Sequence, residues 1–489
     1  MWLALEAGSV VPLSRQIYER VKTLILRGDL QAEDKLPSSR ALGKTLNVAR
    51  NTVLEAYEQL LAEGYLEARR GSGTAVAKGI AAAMADAGAK YGEASGSETA
   101  PAARSQPSPL SDEAGGVSFR SGIPALDLFP RKEWGKLYQR ACESLPASAF
   151  RYCGPGGVWE LREAVAAYLL RVRGIRAAPE RIMITSGSTQ GLWLVARLLH
   201  REGAAALVED PVHRGLVEVV ARSGYRVRGI RADEYGMDTG LLPSFNPEDA
   251  ERVAFVYVTP SHQYPLGGIL PIQRRQALIR FARAGGSLIV EDDYDGEFRY
   301  EGAPVSSFHE LAPDMVVYLG SFSKILAPAV RLGFAILPES MPERWGPEKM
   351  YTDVHTDAVS QHALAAFINS GGLERHIWKM AKLYKRKRAH LLRCLSERFG
   401  GRFEVRGQAA GLHLVAGFPG VTFSEKVLAD LRGRGVRLAT VEAYSLRRDG
   451  AHAHEAILGY SHLTEEEIAK GVAILADGLA DACSVTRGE

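Results

Sequence analysis

Residues 80–116, "IAAAMADAGAKYGEASGSETAPAARSQPSPLSDEAGG", run through Ala, Gly, Ser and Pro with no apolar period. A stretch of that composition buries too little apolar surface to offset the entropy lost on ordering. No core can pass through it, so the chain must be built from one body before it, 1–79, and a larger one after it, 117–489. As a flexible coil it would average roughly 30–35 Å end to end. That reach either carries the first body across to a neighbouring subunit or serves only as a spacer. A chain of 489 residues exceeds what one simple core organises. Its 60 basic and 57 acidic residues give no sign of a nucleic-acid partner from bulk charge. No apolar run approaches the roughly 18 residues of a membrane span, and the opening "MWLALEAGSV" lacks the basic region of an export signal. Cys142, Cys153, Cys394 and Cys483 lie far apart, in neither a CxxC nor a Cys/His pattern. Structural zinc and a disulfide framework are therefore disfavoured, and the expectation is a cytoplasmic, soluble protein without metal.

The first body reads as three helices and a ribbon. In "PLSRQIYERVKTLILRGDL", Ile17, Val21, Leu24 and Ile25 recur at helical spacing and Gly28 supplies a stop. "LPSSRALGKTLN" opens a second helix behind a Pro-Ser-Ser cap, and "ARNTVLEAYEQLLAEG" makes a third that ends at Gly64. "YLEARRGSGTAVA" then reads as strand, Gly-rich turn and strand. This order predicts a winged helix-turn-helix, whose third helix enters the major groove with its amino end against base edges. Arg50 at that end can pair bidentately with guanine, and Asn51 can address adenine. Arg40 and Thr52 suit phosphates, while Arg70 and Gly71 at the wing suit the minor groove or the backbone. The 11 basic and 9 acidic residues of 1–79 do not by themselves suggest DNA, and a winged fold can also serve protein contacts alone.

After residue 116 the rhythm changes. "RIMITSG", "AAALVEDP", "VAFVYVTP", "SLIVEDDYD", "MVVYLGSFSK" and "RLGFAILP" are short β-rich runs, most of them separated by helical stretches. The pattern predicts an α/β domain on a mainly parallel sheet, with functional groups at the carboxyl ends of the strands. We place its large lobe at about 150–340. A tail from about 341 to 489 mixes helices with "GLHLVAGF" and "EAILGY", which suggests a smaller α+β lobe.

The strand ends carry what a pyridoxal 5'-phosphate site needs. Lys324, just past "MVVYLG", offers the amine for a Schiff base. Asp292 offers a carboxylate for the ring nitrogen, and Tyr294 a hydroxyl for the ring oxygen. Gly187, Ser188 and Thr189 stand where a strand turns into a helix, a ready anion site. Ser321, Ser323 and Arg331 add hydroxyls and a fixed positive charge. Each piece alone is an ordinary turn, cap or surface lysine; their conjunction at successive strand ends is what points to a cofactor.

Residues 36–76 in order, "LPSSRALGKTLNVARNTVLEAYEQLLAEGYLEARRGSGTAV", resemble the GntR family of bacterial regulators, which implies DNA contacts at Arg40, Arg50, Asn51, Thr52, Arg70 and Gly71. Residues 117–489 resemble the fold type I aminotransferases. "FRSGIPALDLFPRKEW", "YCGPGGVWELREAVAAYL", "VYVTPSHQYPLGG", "VEDDYDGEFRY" and "YLGSFSKILAPAVRLG" are patterns of the MocR (GabR-like) subfamily, in which the two are joined. The resemblance implies that Lys324 holds the cofactor, Asp292 pairs its ring nitrogen and Arg331 serves its phosphate. It also implies that Tyr152 reaches the partner subunit's phosphate, in a domain-swapped homodimer.

Two departures stand out. Where the aminotransferases place an aromatic ring over the cofactor, the run here is Asp210-Pro211-Val212-His213, making His213 the stacking group. Where many bind the substrate carboxylate through a late arginine, "HEAILGYSHL" has Ala456, with Arg214 as a candidate substitute. The basic run 376–395, "HIWKMAKLYKRKRAHLLRCL", is either a solvated helix face or a contact with the DNA backbone. The expected function is a regulator that senses a small amine, an amino acid or the cofactor itself and alters its hold on a double-stranded operator. The alternative is a working aminotransferase with an accessory DNA-binding domain.

Overall fold

The structure is a computed structural model that describes residues 12–69, 73–78, 116–242, 252–301 and 306–485, together with Leu5. The chain divides into two compact units, Met1–Glu113 and Ala114–Glu489. Residues 80–115, which hold nearly all of the expected linker, lie outside the described residues.

The first unit contains α1 (Leu13–Arg27), α2 (Ser39–Leu46), α3 (Arg50–Ala62) and an antiparallel ribbon of β1 (Leu66–Arg69) and β2 (Gly73–Val76). Gly28 ends α1 with φ 79°, and Asn47 ends α2 in the same left-handed region. The Ser38 side chain accepts from the Ala41 amide at 3.2 Å, satisfying one of the free N–H groups that open α2. Ile17, Val21, Ile25, Leu42, Val53, Tyr57 and Leu60 close one apolar core across the three helices. The amino end of α3 is left outside that core.

The second unit is organised by an eight-stranded sheet. Its strands are β4 (Ile182–Thr185), β5 (Ala205–Asp210), β6 (Arg226–Asp233), β7 (Gly236–Met237), β8 (Val253–Val258), β9 (Leu288–Asp293), β10 (Val316–Ser321) and β11 (Gly333–Ile336), after a short β3 (Val117–Ser118). The spatial order is β4-β11-β10-β9-β8-β5-β6-β7. The five strands from β10 to β6 are parallel; β11 runs antiparallel to both neighbours, and β7 antiparallel to β6. The connection from Ser321 to Gly333 is too short for a crossover helix, which takes about a dozen residues or more, so the chain doubles back. That return brings Arg331 to the end of β4, where Gly333 pairs with Thr185.

The smaller lobe has a four-stranded antiparallel sheet ordered β12 (Glu404–Arg406), β13 (His413–Gly417), β16 (Glu455–Gly459) and β15 (Ala439–Thr440). β14 (Val436–Arg437) pairs in parallel with β3, so the segment entering this unit is stitched to the smaller lobe first. Among the described residues no helix is long and apolar enough to cross a membrane, and Cys142, Cys153 and Cys394 are free. The two lobes meet where Gly267 and Gly407 cross: a Cβ on Gly267 would lie 2.1 Å from the Gly407 Cα. Gly203 has a similar φ of +73° against +76°, but open space around it. An alanine at either site costs about 1–2 kcal/mol for its backbone conformation. We therefore expect Gly267→Ala to lower the thermal midpoint several degrees further than Gly203→Ala. Equal midpoints would show that the crossing is not tight.

Candidate cofactor pocket and DNA-reading helix

The sheet register sets Asp292 opposite Leu319, so the turn after β10 delivers Lys324 beside the end of β9. The Lys324 Nζ donates to the Gly122 carbonyl at 2.7 Å. Burial pushes its pKa down, against the opposing pull of Asp295 and then Asp292. Asp292 is buried, and its Oδ2 accepts from the Tyr257 hydroxyl at 2.6 Å. Its Oδ1 has no partner among the described residues. Burial raises its pKa to about 6 despite Tyr257. An unpartnered buried carboxylate oxygen is costly unless something fills the place, and a protonated ring nitrogen fits it. The donor set thus suits pyridoxal 5'-phosphate.

Gly187, with φ 104°, opens the helix Ser188–Leu198 and leaves its first N–H groups uncovered. A Cβ at Gly187 would lie 3.1 Å from Arg331 Nη2 and would press on the guanidinium, and its φ also favours glycine; Arg331 holds the Ser186 carbonyl as well. The Ser321 Oγ accepts from the Ser323 amide at 3.2 Å. Gly187, Ser188, Thr189 and Arg331 are thereby brought to one rim by the β4–β11 pairing, with Ser321 and Ser323 on the adjoining turn after β10. His213 packs its ring 5.5 Å from Tyr264. It keeps an exposed edge, yet loss of surrounding water and then the charge of Lys324 hold its pKa low. The Tyr294 hydroxyl lies 3.1 Å from both the Nδ1 and the carbonyl of His262. Tyr152 does not join these groups: it is 84% exposed and meets the His355 ring at 5.8 Å. Ala456 is buried within β16, and Arg214 donates to the Ala443 carbonyl at 3.0 Å.

Several pocket residues escape sequence reasoning. Tyr257 reads as one more apolar position of "VAFVYV", and Gly122 acts through its carbonyl. Ser121 meets the Tyr264 hydroxyl at 2.8 Å. Beneath them, buried His262, Asp295 and His413 form a cluster in which His262 Nδ1 lies 3.0 Å from Asp295. Burial works to lower the His262 pKa, but Asp295 overrides it and the net shift is upward. His413 is committed to the Pro265 carbonyl at 2.9 Å, so the three read as a hydrogen-bonded seam between lobes.

In the first unit, Arg40, Arg50 and Asn51 are exposed and Thr52 half-buried. Arg50, Asn51 and Thr52 form the first turn of α3, and the Arg50 Nε reaches Ser39 at 3.4 Å. Arg70 and Gly71 lie outside the described residues.

This geometry defines a class of protein: a winged-helix DNA-binding unit joined to an aminotransferase fold. The family description "Bacterial regulatory proteins, gntR family" matches residues 13–76, and "Aminotransferase class I and II" matches 117–450. The probable rhizopine catabolism regulatory protein MocR of Rhizobium meliloti is 30% identical, over 96% of this chain and 94% of its own. The pyridoxine biosynthesis transcriptional regulator PdxR of Corynebacterium glutamicum is 32% identical, over 90% and 91%. Kynurenine aminotransferase of Pyrococcus horikoshii, solved with PMP, superposes with a TM-score of 0.69 at 28% identity, covering 76% of this chain and 92% of its own. The chain belongs to the MocR-type GntR transcription regulators, DNA-binding proteins whose second unit has the aminotransferase fold.

The raised pKa of Asp292 has a stability consequence. A carboxyl raised from 3.8 to about 6 in the folded state stabilises fully below its unfolded pKa, and that contribution is lost as pH rises to about 6. In cofactor-free protein, the stability of Asp292→Asn relative to wild type should therefore rise by on the order of 2 kcal/mol between about pH 4 and pH 8. Denaturant titration at the two pH values checks it; a difference independent of pH would contradict the buried, protonated carboxyl.

Proposed function

We propose that this regulator binds pyridoxal 5'-phosphate at Lys324 and uses the bound group to detect a small amine or amino acid, changing its hold on operator DNA. The observation that carries the reading is the half-buried Lys324 amine within reach of the charge of Asp292, whose Oδ1 lacks a partner among the described residues, in a chain that also exposes Arg50 and Asn51 on a DNA-reading helix. When bound, the cofactor supplies an aldehyde that condenses reversibly with primary amines. The protein's residues do the rest. Burial lowers the Lys324 pKa, which raises the share of neutral, nucleophilic amine. Asp292 keeps a proton on the ring nitrogen, and Tyr294 serves the ring hydroxyl. Gly187, Ser188, Thr189, Ser321, Ser323 and Arg331 hold the phosphate, and His213 lies on the ring. The exposed Tyr152 completes the pocket of a partner subunit, which makes the functional unit a homodimer.

Gly122 gives the amine a route to the rest of the molecule. Its segment is tied to both lobes, through Ser121 to Tyr264 and through the Phe119 carbonyl to the Gly459 amide at 2.8 Å. The same segment follows directly on the chain leading from the DNA-binding unit. A change in what Lys324 bonds to is therefore felt at Gly122. An amine shifts the protein between two arrangements only by its differential affinity for them.

Lys324→Ala should abolish the cofactor's visible absorption and the response to amines, yet leave a folded protein that still binds its operator. Arg50→Ala should keep the absorption and lose operator binding. A Lys324→Ala protein that responds normally to an amine would refute the sensing role; absorption spectra and fluorescence anisotropy read the two properties separately.

A further inference from the structure

The helix Gly372–Phe399 carries nine Lys or Arg residues against two Glu, and the structure sorts the basic ones into two sets. Lys387 and Arg388 are buried. Lys387 donates to the Ser461 carbonyl at 2.8 Å, and Arg388 pairs with Glu301 at 2.7 Å. These two fasten the smaller lobe and are closed to any outside partner. Lys379, Lys382 and Lys385 recur at three-residue spacing on the exposed side. Among the described residues they form no ion pair, and three nearby acids are engaged by arginines. Glu133 is engaged by Arg375, Glu374 by Arg171 and Glu465 by Arg386.

The exposed set continues off the helix. A groove of about 470 Å³ separates it from the start of the helix Arg131–Ser144, and Arg131 and Lys132 line the far wall opposite Lys379. Trp378 stands in the same stripe, 71% exposed, with the Lys382 ammonium 5.8 Å from its ring centroid. Like charges three and four apart repel and cost a helix a few tenths of a kcal/mol per pair. A polyanion reverses that cost and gains from release of its own counterions.

We propose that this face binds the sugar–phosphate backbone of duplex DNA flanking the sites read by the winged helix. The DNA-reading body itself holds only 11 basic residues against 9 acidic, so little phosphate attraction originates there. The uncompensated lysines of the second unit supply it. The stripe fixes affinity and salt dependence without reading sequence.

The test compares wild type with the triple variant Lys379→Ala/Lys382→Ala/Lys385→Ala, both loaded with cofactor. The probes are two duplexes from a segment footprinted beside the protein's own gene: one trimmed to the winged-helix sites, one with its flanks. On the flanked duplex we expect the triple variant to bind more weakly, with a salt slope shallower by about 2 to 3, near 0.9 for each lost phosphate contact. On the trimmed duplex it should match wild type, and Lys→Arg at all three positions should restore the slope. Equal slopes for variant and wild type on both duplexes would leave only a solvated face and overturn the proposal. So would equal losses on both duplexes, which would place the effect at the winged helix. A changed dimer mass in sedimentation with unchanged DNA slopes would assign the face to a protein contact instead.

Discussion

A half-buried primary amine 2.7 Å from a backbone carbonyl, with two carboxylates close enough to pull its pKa upward, is the constraint on which the pocket turns. Such an amine must be delivered by a rigid element, and β10 is one: it lies between β9 and β11 in the sheet, with Val316–Gly320 buried. The parallel register with β9 sets Asp292 beside it, and the antiparallel return of β11 brings Arg331 against Gly187. Three strand ends thus place a carboxylate, an amine and a guanidinium around one rim. The price is electrostatic. Burial lifts Glu209 and Glu291 to about 7 as well as Asp292 to about 6, and it depresses the lysine. A buried carboxyl such as Asp292 is one that a bound cation relieves.

The lysine is also tied to the point where the chain enters the second unit. Gly122, the acceptor of its proton, lies on the segment by which the chain enters the second unit, and β3 of that segment pairs with the smaller lobe. Chemistry at the amine and the path to the DNA-reading helix therefore share a few residues of backbone. The buried His262–Asp295 pair and the Gly267–Gly407 crossing sit on the same seam between lobes, close to Tyr294.

Much of this was legible in the sequence, for identifiable reasons. Strands β4, β5, β8, β9 and β10 are covered on both faces and read as continuous apolar runs. Lys324, Asp292 and Gly187 stand out because a polar residue or a glycine follows such a run directly. Gly28 and Gly64 marked helix ends because only a left-handed residue fits there. What stayed hidden depended on pairing. β6 sets exposed Arg226, Arg228 and Arg231 among half-buried and buried residues near one margin of the sheet, and it gives no continuous apolar run. The direction of β11 is set by the length of its connection rather than by its composition. Tyr257, Gly122 and the His262–Asp295 pair act through contacts with residues far along the chain. In the basic run 376–395 the sequence shows the charges, but not that Lys387 and Arg388 turn inward.

The most direct test of the account is covalent. Pyridoxal 5'-phosphate-loaded protein is treated with borohydride and digested, and its peptides are weighed. The account predicts one phosphopyridoxyl group per chain, on the peptide carrying Lys324. A label on another lysine, or none after incubation with excess cofactor, would contradict it.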